Sequence, residues 1–187
     1  MNGNPPVIPA DGRHLYALRV YYEDTDAGGV VYHAGYLRFA ERARTEALRA
    51  MGIPHAEMTE RFGLMFVVRR VEVDYLRPGR LDDSLMVETT ALDVGGASVL
   101  LRQDVRRQDI AGADGLCASL KVRLACVRLA CVRLAGERPD GTDPAGSAPD
   151  VMDRGGNKPG RIPPRWRTAL AAMRDAGRPN WVAEGNG

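Results

Sequence analysis

The chain has 187 residues, a mass of 20.4 kDa and a formal net charge of +2 from 26 basic and 24 acidic residues. That length can bury one core and is short for two ordinary domains with a linker. The sequence pI near 8.5 comes without any dense Lys/Arg block, so no nucleic-acid partner is indicated, and no apolar run approaches the roughly 20 residues of a membrane span. Met1 to Pro6 lack the basic start and apolar core of a secretory signal. Cys117, Cys126 and Cys131 lie in apolar segments without metal-ligand spacing, which predicts reduced structural thiols and a cytoplasmic protein.

Residues 1–13 are rich in Pro, Gly and Asn and predict a disordered tail, so the fold is expected to begin at His14. The apolar run 15–22 predicts a strand, and Gly28-Gly29 a tight turn. Over 36–51, Tyr36, Ala40, Ala43, Ala47, Ala50 and Met51 recur at three- and four-residue steps, with Phe39 and Leu48 widening the stripe, which predicts one central helix. Arg42 and Glu46 stand one turn apart on its polar side, and Gly52 before Ile53-Pro54 supplies a stop.

The period then changes. Val71, Val73 and Tyr75 alternate with polar residues, and Pro78-Gly79 ends that strand. Segments 85–94 and 98–107 predict two more strands joined through Gly95-Gly96, and 112–115 another turn. In the last strand Leu116, Ala118, Leu120, Val122, Leu124 and Cys126 share one face. Arg-Leu-Ala-Cys-Val occurs at 123–127 and again at 128–132; a shift of five places Arg128 in the buried phase, so the strand must bulge, bend or leave the sheet there. A helix followed by an antiparallel meander is an α+β domain, expected over 14–135. Residues 136–162, dominated by Gly, Pro and Asp, predict a flexible segment; Pro163-Pro164 opens a short helix with Trp166, Leu170 and Met173 at helical spacing, followed by a frayed tail to 187.

The chemistry concentrates between Tyr21 and His33. Asp24 and Asp26 would share a face of an extended chain, while Tyr21, Tyr22, Val30, Val31 and Tyr32 surround them with apolar groups that a simple solvated turn has no reason to carry. A helix beginning soon afterwards presents unpaired amides and the positive end of its dipole, an arrangement that stabilises an oxyanion; those amides are expected from about Tyr32 to Gly35. A carboxylate beside them can attack an acyl carbonyl or activate a water, and Asp26 is the candidate. His33 is a candidate partner for the carbonyl or water, against a purely structural role. Arg69, Arg70, Arg77 and Arg80 are candidates to meet phosphates, against a solvated strand face.

The run Asp24-Thr25-Asp26-Ala27-Gly28-Gly29-Val30-Val31-Tyr32-His33-Ala34-Gly35-Tyr36, with Arg38-Phe39 and Glu41-Arg42-Ala43-Arg44, closely resembles the hot-dog acyl-CoA thioesterases of the 4-hydroxybenzoyl-CoA thioesterase class. Within that class it is similar to the Tol-Pal system-associated subgroup, which Tyr75-Leu76-Arg77-Pro78-Gly79-Arg80-Leu81-Asp82-Asp83 and Arg161-Ile162-Pro163-Pro164 also fit. The resemblance implies a hot-dog fold, an antiparallel sheet wrapped around one central helix, pairing into a homodimer or homotetramer with active sites at the subunit boundary. It implies hydrolysis of acyl-CoA, or of the same thioester on acyl carrier protein, with Asp26 as catalytic carboxylate, the Tyr32–His33 region as amide donor and His33 in the site. Coenzyme A is then part of the substrate, and no cofactor or metal is called for. The subgroup also implies an association with the inner membrane periphery. Gly35 departs from it, since Asn is usual there.

Three other readings compete. Asp24-Thr25-Asp26 looks somewhat like the paired aspartates of haloacid-dehalogenase-type phosphatases, but those need alternating strands and helices. A hot-dog hydratase or dehydratase would need a different acid/base pair, typically with a histidine placed by an Asn-Pro element, which this motif lacks. A non-catalytic acyl-carrier or envelope adaptor would have kept the fold and lost the reaction, and the intact Asp26 and His33 weigh against it.

Overall fold

The computed structural model describes residues 12–129 and 158–174. Residues 1–11 of the expected N-terminal tail, residues 130–135, most of the Gly/Pro-rich segment and the tail after Arg174 lie outside the described residues, while Arg13, expected in the disordered tail, pairs with Glu88 at 3.3 Å. In chain order the elements are β1 (His14–Arg19), α1 (His33–Ala50), α2 (His55–Phe62), β2 (Leu64–Tyr75), β3 (Ser84–Val94), β4 (Ser98–Arg107), β5 (Leu116–Arg128) and α3 (Pro164–Ala172). Short 3₁₀ turns occupy Tyr22–Asp24 and Gly112–Gly115.

The five strands form one antiparallel sheet in the order β1-β3-β4-β5-β2. Side chains alternate, so Val87, Thr89 and Ala91 of β3, Val99, Leu101, Gln103 and Val105 of β4, and Leu120, Val122 and Leu124 of β5 form a buried inner face. α1 lies on that face over β1, β3 and β4. Its apolar stripe, Tyr36, Phe39, Ala40, Ala43, Ala47 and Leu48, is buried; the three alanines let the helix axis approach the sheet, and a fully buried side chain such as Phe39 contributes about 1.5–3 kcal/mol. The helix stops where the Met51 amide bonds the Ala47 carbonyl and Gly52 takes a φ of +67°, a conformation glycine adopts without strain.

One polar network crosses this interface. Buried Gln103 donates from Nε2 to the Ala40 carbonyl (2.9 Å) and to Thr89 Oγ1 (3.0 Å), while its Oε1 accepts from Arg44 Nη1 (2.6 Å). Arg44 also pairs with Glu41. The network fixes the height and rotation of α1 over the sheet, because each partner is desolvated and would be costly to leave unpaired.

Several expectations need correction. α2 stands between the two expected helices, where none was expected, and the strands after it are not a simple meander, since β2 pairs with β5 and not with β3. α1 begins at His33, three residues before the apolar period. Arg42 and Glu46 are not paired: Glu46 accepts instead from Arg49 Nη1 at 2.5 Å. Residues 158–162, expected within a flexible segment, are pinned along the end of β5, with the Arg128 amide donating to the Lys158 carbonyl, Gly160 N–H to Cys126 and Ile162 N–H to Gly96 over 2.8–2.9 Å. β5 ends at Arg128, where the repeated pentapeptide would have forced a basic residue into the buried phase. α3 starts with Pro164 in its first turn and buries Trp166 and Leu170 with Met173 against the sheet, Trp166 meeting the Phe66 ring at 6.3 Å.

Candidate active site

Between β1 and α1 the backbone is folded back on itself by its own hydrogen bonds. Val20 exchanges bonds with the segment at Asp82 and Asp83, which closes the end of β1. The Tyr22–Asp24 turn follows, then a tight loop in which Asp26 N–H donates to the Val30 carbonyl (2.9 Å) and Gly29 N–H returns to the Asp26 carbonyl (3.0 Å). Gly29 has a φ of +69°, which the turn requires. Asp26 Oδ1 accepts from the Gly28 amide at 2.8 Å, an Asx turn that fixes the side chain. Among the described residues nothing donates to Oδ2, and Asp26 is exposed, so one carboxylate oxygen is oriented and open to a ligand.

The two acids do not share a face. The 3₁₀ turn that ends at Asp24 buries it, 2 % exposed, while Asp26, beyond the extended Thr25, faces solvent. Asp24 is an anchor. Its Oδ2 accepts from the Tyr21 amide (3.1 Å), its Oδ1 faces Arg38 Nη2 at 3.6 Å, and its carbonyl accepts from the Tyr32 amide (2.8 Å). That last bond moves the expected oxyanion donors. Tyr32 N–H is engaged, Gly35 N–H bonds the Tyr32 carbonyl at 2.7 Å, and the amides left without a backbone partner at the start of α1 are those of His33 and Ala34.

Gly35 is buried in that first turn, and a Cβ there would stand 3.1 Å from Val31 Cγ1 and 3.6 Å from the Asp24 carbonyl oxygen. The helix start, Val31 and the Asp24 anchor are therefore packed as one unit. Gly79 presses on the same unit from the other side, accepting from Val31 N–H at 2.8 Å and donating from its own amide to the Tyr36 hydroxyl at 2.9 Å. Burial holds the Tyr36 phenol above its ordinary pKa, with the Gly79 hydrogen bond opposing the shift.

These pieces enclose a cleft of about 340 Å³ into which Asp26, Tyr32, His33, Tyr36, Tyr75 and Arg77 project. The three residues expected in the site from the sequence, Asp26, Tyr32 and His33, thus line one cavity. The His33 ring packs on Tyr32 (4.2 Å between centroids) and meets Tyr75 edge-on (6.4 Å). Tyr75 was not expected; the signal available for it is its place at the end of an alternating strand just before Pro78-Gly79. Of the four arginines near the motif, Arg70 pairs with Glu72 and Arg77 with Asp114, which leaves Arg69 and Arg80 without an acidic partner among the described residues. Of the residues expected as apolar walls, Val31 and Tyr32 line the cleft and Tyr21, Tyr22 and Val30 do not; Tyr32, Tyr75 and Leu76 are 47–51 % exposed, so the cleft is open in a single chain.

Comparison with known proteins bears on what such a site does. Residues 28–113 match the model of the thioesterase superfamily. The acyl-CoA thioesterase YbgC of Haemophilus influenzae is 45 % identical over 116 residues, covering 62 % of this chain and 82 % of that protein. The chain belongs to the thioesterase superfamily. Another member of the superfamily, the acyl-CoA thioester hydrolase YbgC of Escherichia coli O6:H1, is 50 % identical over 91 residues, 48 % of this chain and 66 % of that protein. Among solved superfamily structures, one from Bartonella henselae described as a probable thioesterase superposes with a TM-score of 0.55 at 34 % identity, covering 62 % of this chain and 92 % of that one. The helix on an antiparallel sheet is the hot-dog fold of this superfamily, as the motif implied.

Proposed function

We propose that this protein hydrolyses acyl-CoA thioesters at the Asp26 cleft. The observation that carries the reading is the placement of an oriented, solvent-open Asp26 carboxylate in one cleft with a helix start whose His33 and Ala34 amides have no backbone partner. The names of the relatives in Haemophilus influenzae and Escherichia coli, an acyl-CoA thioesterase and an acyl-CoA thioester hydrolase, support the substrate class.

In this reading the thioester carbonyl oxygen sits at the α1 N-terminus, where the two amides and the helix dipole stabilise the negative charge that develops as the carbonyl carbon becomes tetrahedral. Asp26 Oδ2 either attacks that carbon, forming an anhydride and expelling the coenzyme A thiolate, or removes a proton from the water that attacks. Water then hydrolyses the anhydride; attack at the protein carboxyl passes an oxygen of Asp26 to the product and puts the solvent oxygen on Asp26, so single-turnover hydrolysis in ¹⁸O-water labels Asp26 by that route alone. Tyr36, kept as a neutral phenol, and His33 supply further donors at the cleft wall.

The open walls of the cleft support pairing of two chains. β2 is hydrogen-bonded on one side only, to β5, and Val68, Tyr75 and Leu76 along and beyond it are 47–51 % exposed. A second copy adding its own β2 to this edge would cover them, giving the homodimer implied by the motif; a tetramer is two such dimers. Thiol release from a panel of acyl-CoAs, with acyl carrier protein thioesters as a second arm, tests the reaction. Release from none of them would favour the adaptor reading. The Tol-Pal association rests on the motif resemblance alone and is tested by crosslinking the chain in cells and asking whether envelope-machinery components at the cytoplasmic face of the inner membrane are captured.

A further inference from the structure

A second cavity lies between the last two turns of α1 and the sheet. Met51 of α1, Phe66 of β2, Val99 of β4, Leu124 of β5 and Met173 at the end of α3 line it, and it encloses about 50 Å³. It shares no lining residue with the Asp26 cleft. Val68 stands in its wall and Tyr75 in that of the cleft, seven residues apart on β2 and so about 23 Å at roughly 3.3 Å per residue.

Four polar residues interrupt the apolar lining: Glu41 and Arg44 of α1, His55 of α2 and Thr89 of β3. The Thr89 oxygen is occupied by Gln103. Arg44 is not saturated. A guanidinium carries five N–H donors, and bonds to Gln103 and Glu41 use two of them, so three donors of a side chain that is only 9 % exposed have no partner among the described residues. Burial lowers the His55 pKa, which leaves a neutral imidazole with one N–H on the same side of the cavity. An apolar slot that ends on spare guanidinium donors complements an aliphatic carboxylate, chain inward and head on Arg44. Its size sets the length: about 50 Å³, at roughly 10–15 Å³ for each water-sized group, takes about three to five methyl or methylene groups, hence acids of about four to six carbons. So short a chain does not extend from this slot to the Asp26 cleft of the same chain. Arg44 also seats α1 through Gln103, and α1 carries the His33 and Ala34 amides at its start, so an acid that draws Arg44 toward its own carboxylate acts on those amides without touching them.

We propose that this slot binds a short aliphatic carboxylate, the product class of acyl-CoA hydrolysis, and that the bound acid slows turnover from outside the Asp26 cleft. The link to product rests on the thioesterase reading; binding itself does not. Met51 and Met173 line the slot while Met58 is buried in α2 outside it, so the methyl resonances of ¹³C-methionine-labelled protein report occupancy. Hexanoate should shift the first two and leave Met58 in place, and hexanol, which lacks the charge, should bind at least about tenfold more weakly. From butyrate to hexanoate each added methylene should tighten binding about fourfold, the ~0.8 kcal/mol of a buried methylene, and decanoate should gain nothing further. Val99→Phe and Leu48→Phe fill the slot from two different elements; each should abolish the shifts, and either serves where the other fails to fold. Unmoved Met51 and Met173 resonances, equal binding of hexanol, or shifts that survive a folded filled variant overturn the site. In steady-state hydrolysis of an acyl-CoA, hexanoate should lower kcat severalfold with KM unchanged, and the fall should vanish in the filled variants. An unchanged kcat, or a raised KM alone, overturns the feedback role; a protein that binds hexanoate in the slot and cleaves no acyl-CoA overturns the thioesterase reading instead.

Discussion

The Tyr75 hydroxyl donates to the His33 carbonyl over 3.1 Å, tying the last residue of β2 to the first residue of α1 across 42 positions of sequence. The helix start to which the proposed reaction assigns the oxyanion is thereby held by the strand at the edge of the sheet. Tyr75→Phe removes one exposed neutral hydrogen bond, worth about 0.5–1.5 kcal/mol, and leaves the ring contacts with His33 and Tyr36 in place. Steady-state kinetics should show kcat lowered a few-fold and KM nearly unchanged; an unaltered kcat would mean the tie does not position the amides.

Asp24 anchors the same helix start from the other side. Replacing it with Ala leaves the Tyr21 amide without its acceptor and Arg38 without its anion, at a cost of about 1–3 kcal/mol in stability. Thermal unfolding should report the loss, and kcat should fall by about tenfold as the loop carrying Asp26 loosens. If the melting temperature drops while kcat is retained, Asp24 serves the fold alone.

Gln103 holds α1 over the sheet through two hydrogen bonds, to the Ala40 carbonyl and from Arg44, and is itself steadied by a third, to Thr89 of β3. Gln103→Leu keeps the volume but strands Arg44 Nη1 and takes a second donor from the Ala40 carbonyl, so a destabilisation of about 1–3 kcal/mol is expected in denaturant unfolding with little change in m. A neutral or stabilising result would show that the network is relieved by solvent.

His14 is 1 % exposed with neither ring nitrogen hydrogen-bonded, and burial lowers its pKa below the ordinary 6.5, with Glu46 pulling weakly the other way. The unfolded chain therefore takes up a proton near 6.5 that the folded chain resists. The contribution to stability is complete above that pH and is lost as pH falls from 6.5 toward the folded value; His55, also lowered by burial, adds in the same direction. His14→Phe should make the fall in melting temperature between about pH 7 and about pH 5 shallower than in wild type. An equally steep fall would assign the effect to His55 and the carboxylates.

The positions of the strands along the chain, the central helix and the site loop were legible because their signals are local, whereas the pairing of β2 with β5 instead of β3 was not. β4 occupies 98–107 as its alternation indicated, and the turn residues Gly52 and Gly29 stand where a positive φ is needed. What was not legible depends on contacts distant in sequence. α1 starts three residues early because its first turn, His33-Ala34-Gly35, has no apolar period and its N-cap, Tyr32, makes no side-chain cap. α2 buries only Met58, so it shows no stripe. The 3₁₀ turn that ends at Asp24 overrode simple alternation, and the Tyr32 amide was taken by the Asp24 carbonyl eight residues back, which no pattern of residue types encodes. Residues 158–162 have the composition of a linker and are held by hydrogen bonds to β5. Type and spacing made Asp26 and His33 candidates; that Tyr75 lines the same cleft, and that the His33 and Ala34 amides have no backbone partner among the described residues, needed the fold.

The central claim is that the open oxygen of Asp26 performs the chemistry. The most direct measurement is kcat/KM for acyl-CoA hydrolysis by Asp26→Asn, which keeps the Asx-turn acceptor for the Gly28 amide and removes the charge. Loss of a nucleophile or general base predicts a fall of at least roughly 10²-fold with an unchanged melting temperature; a folded variant that retains activity within a few-fold of wild type would contradict the account.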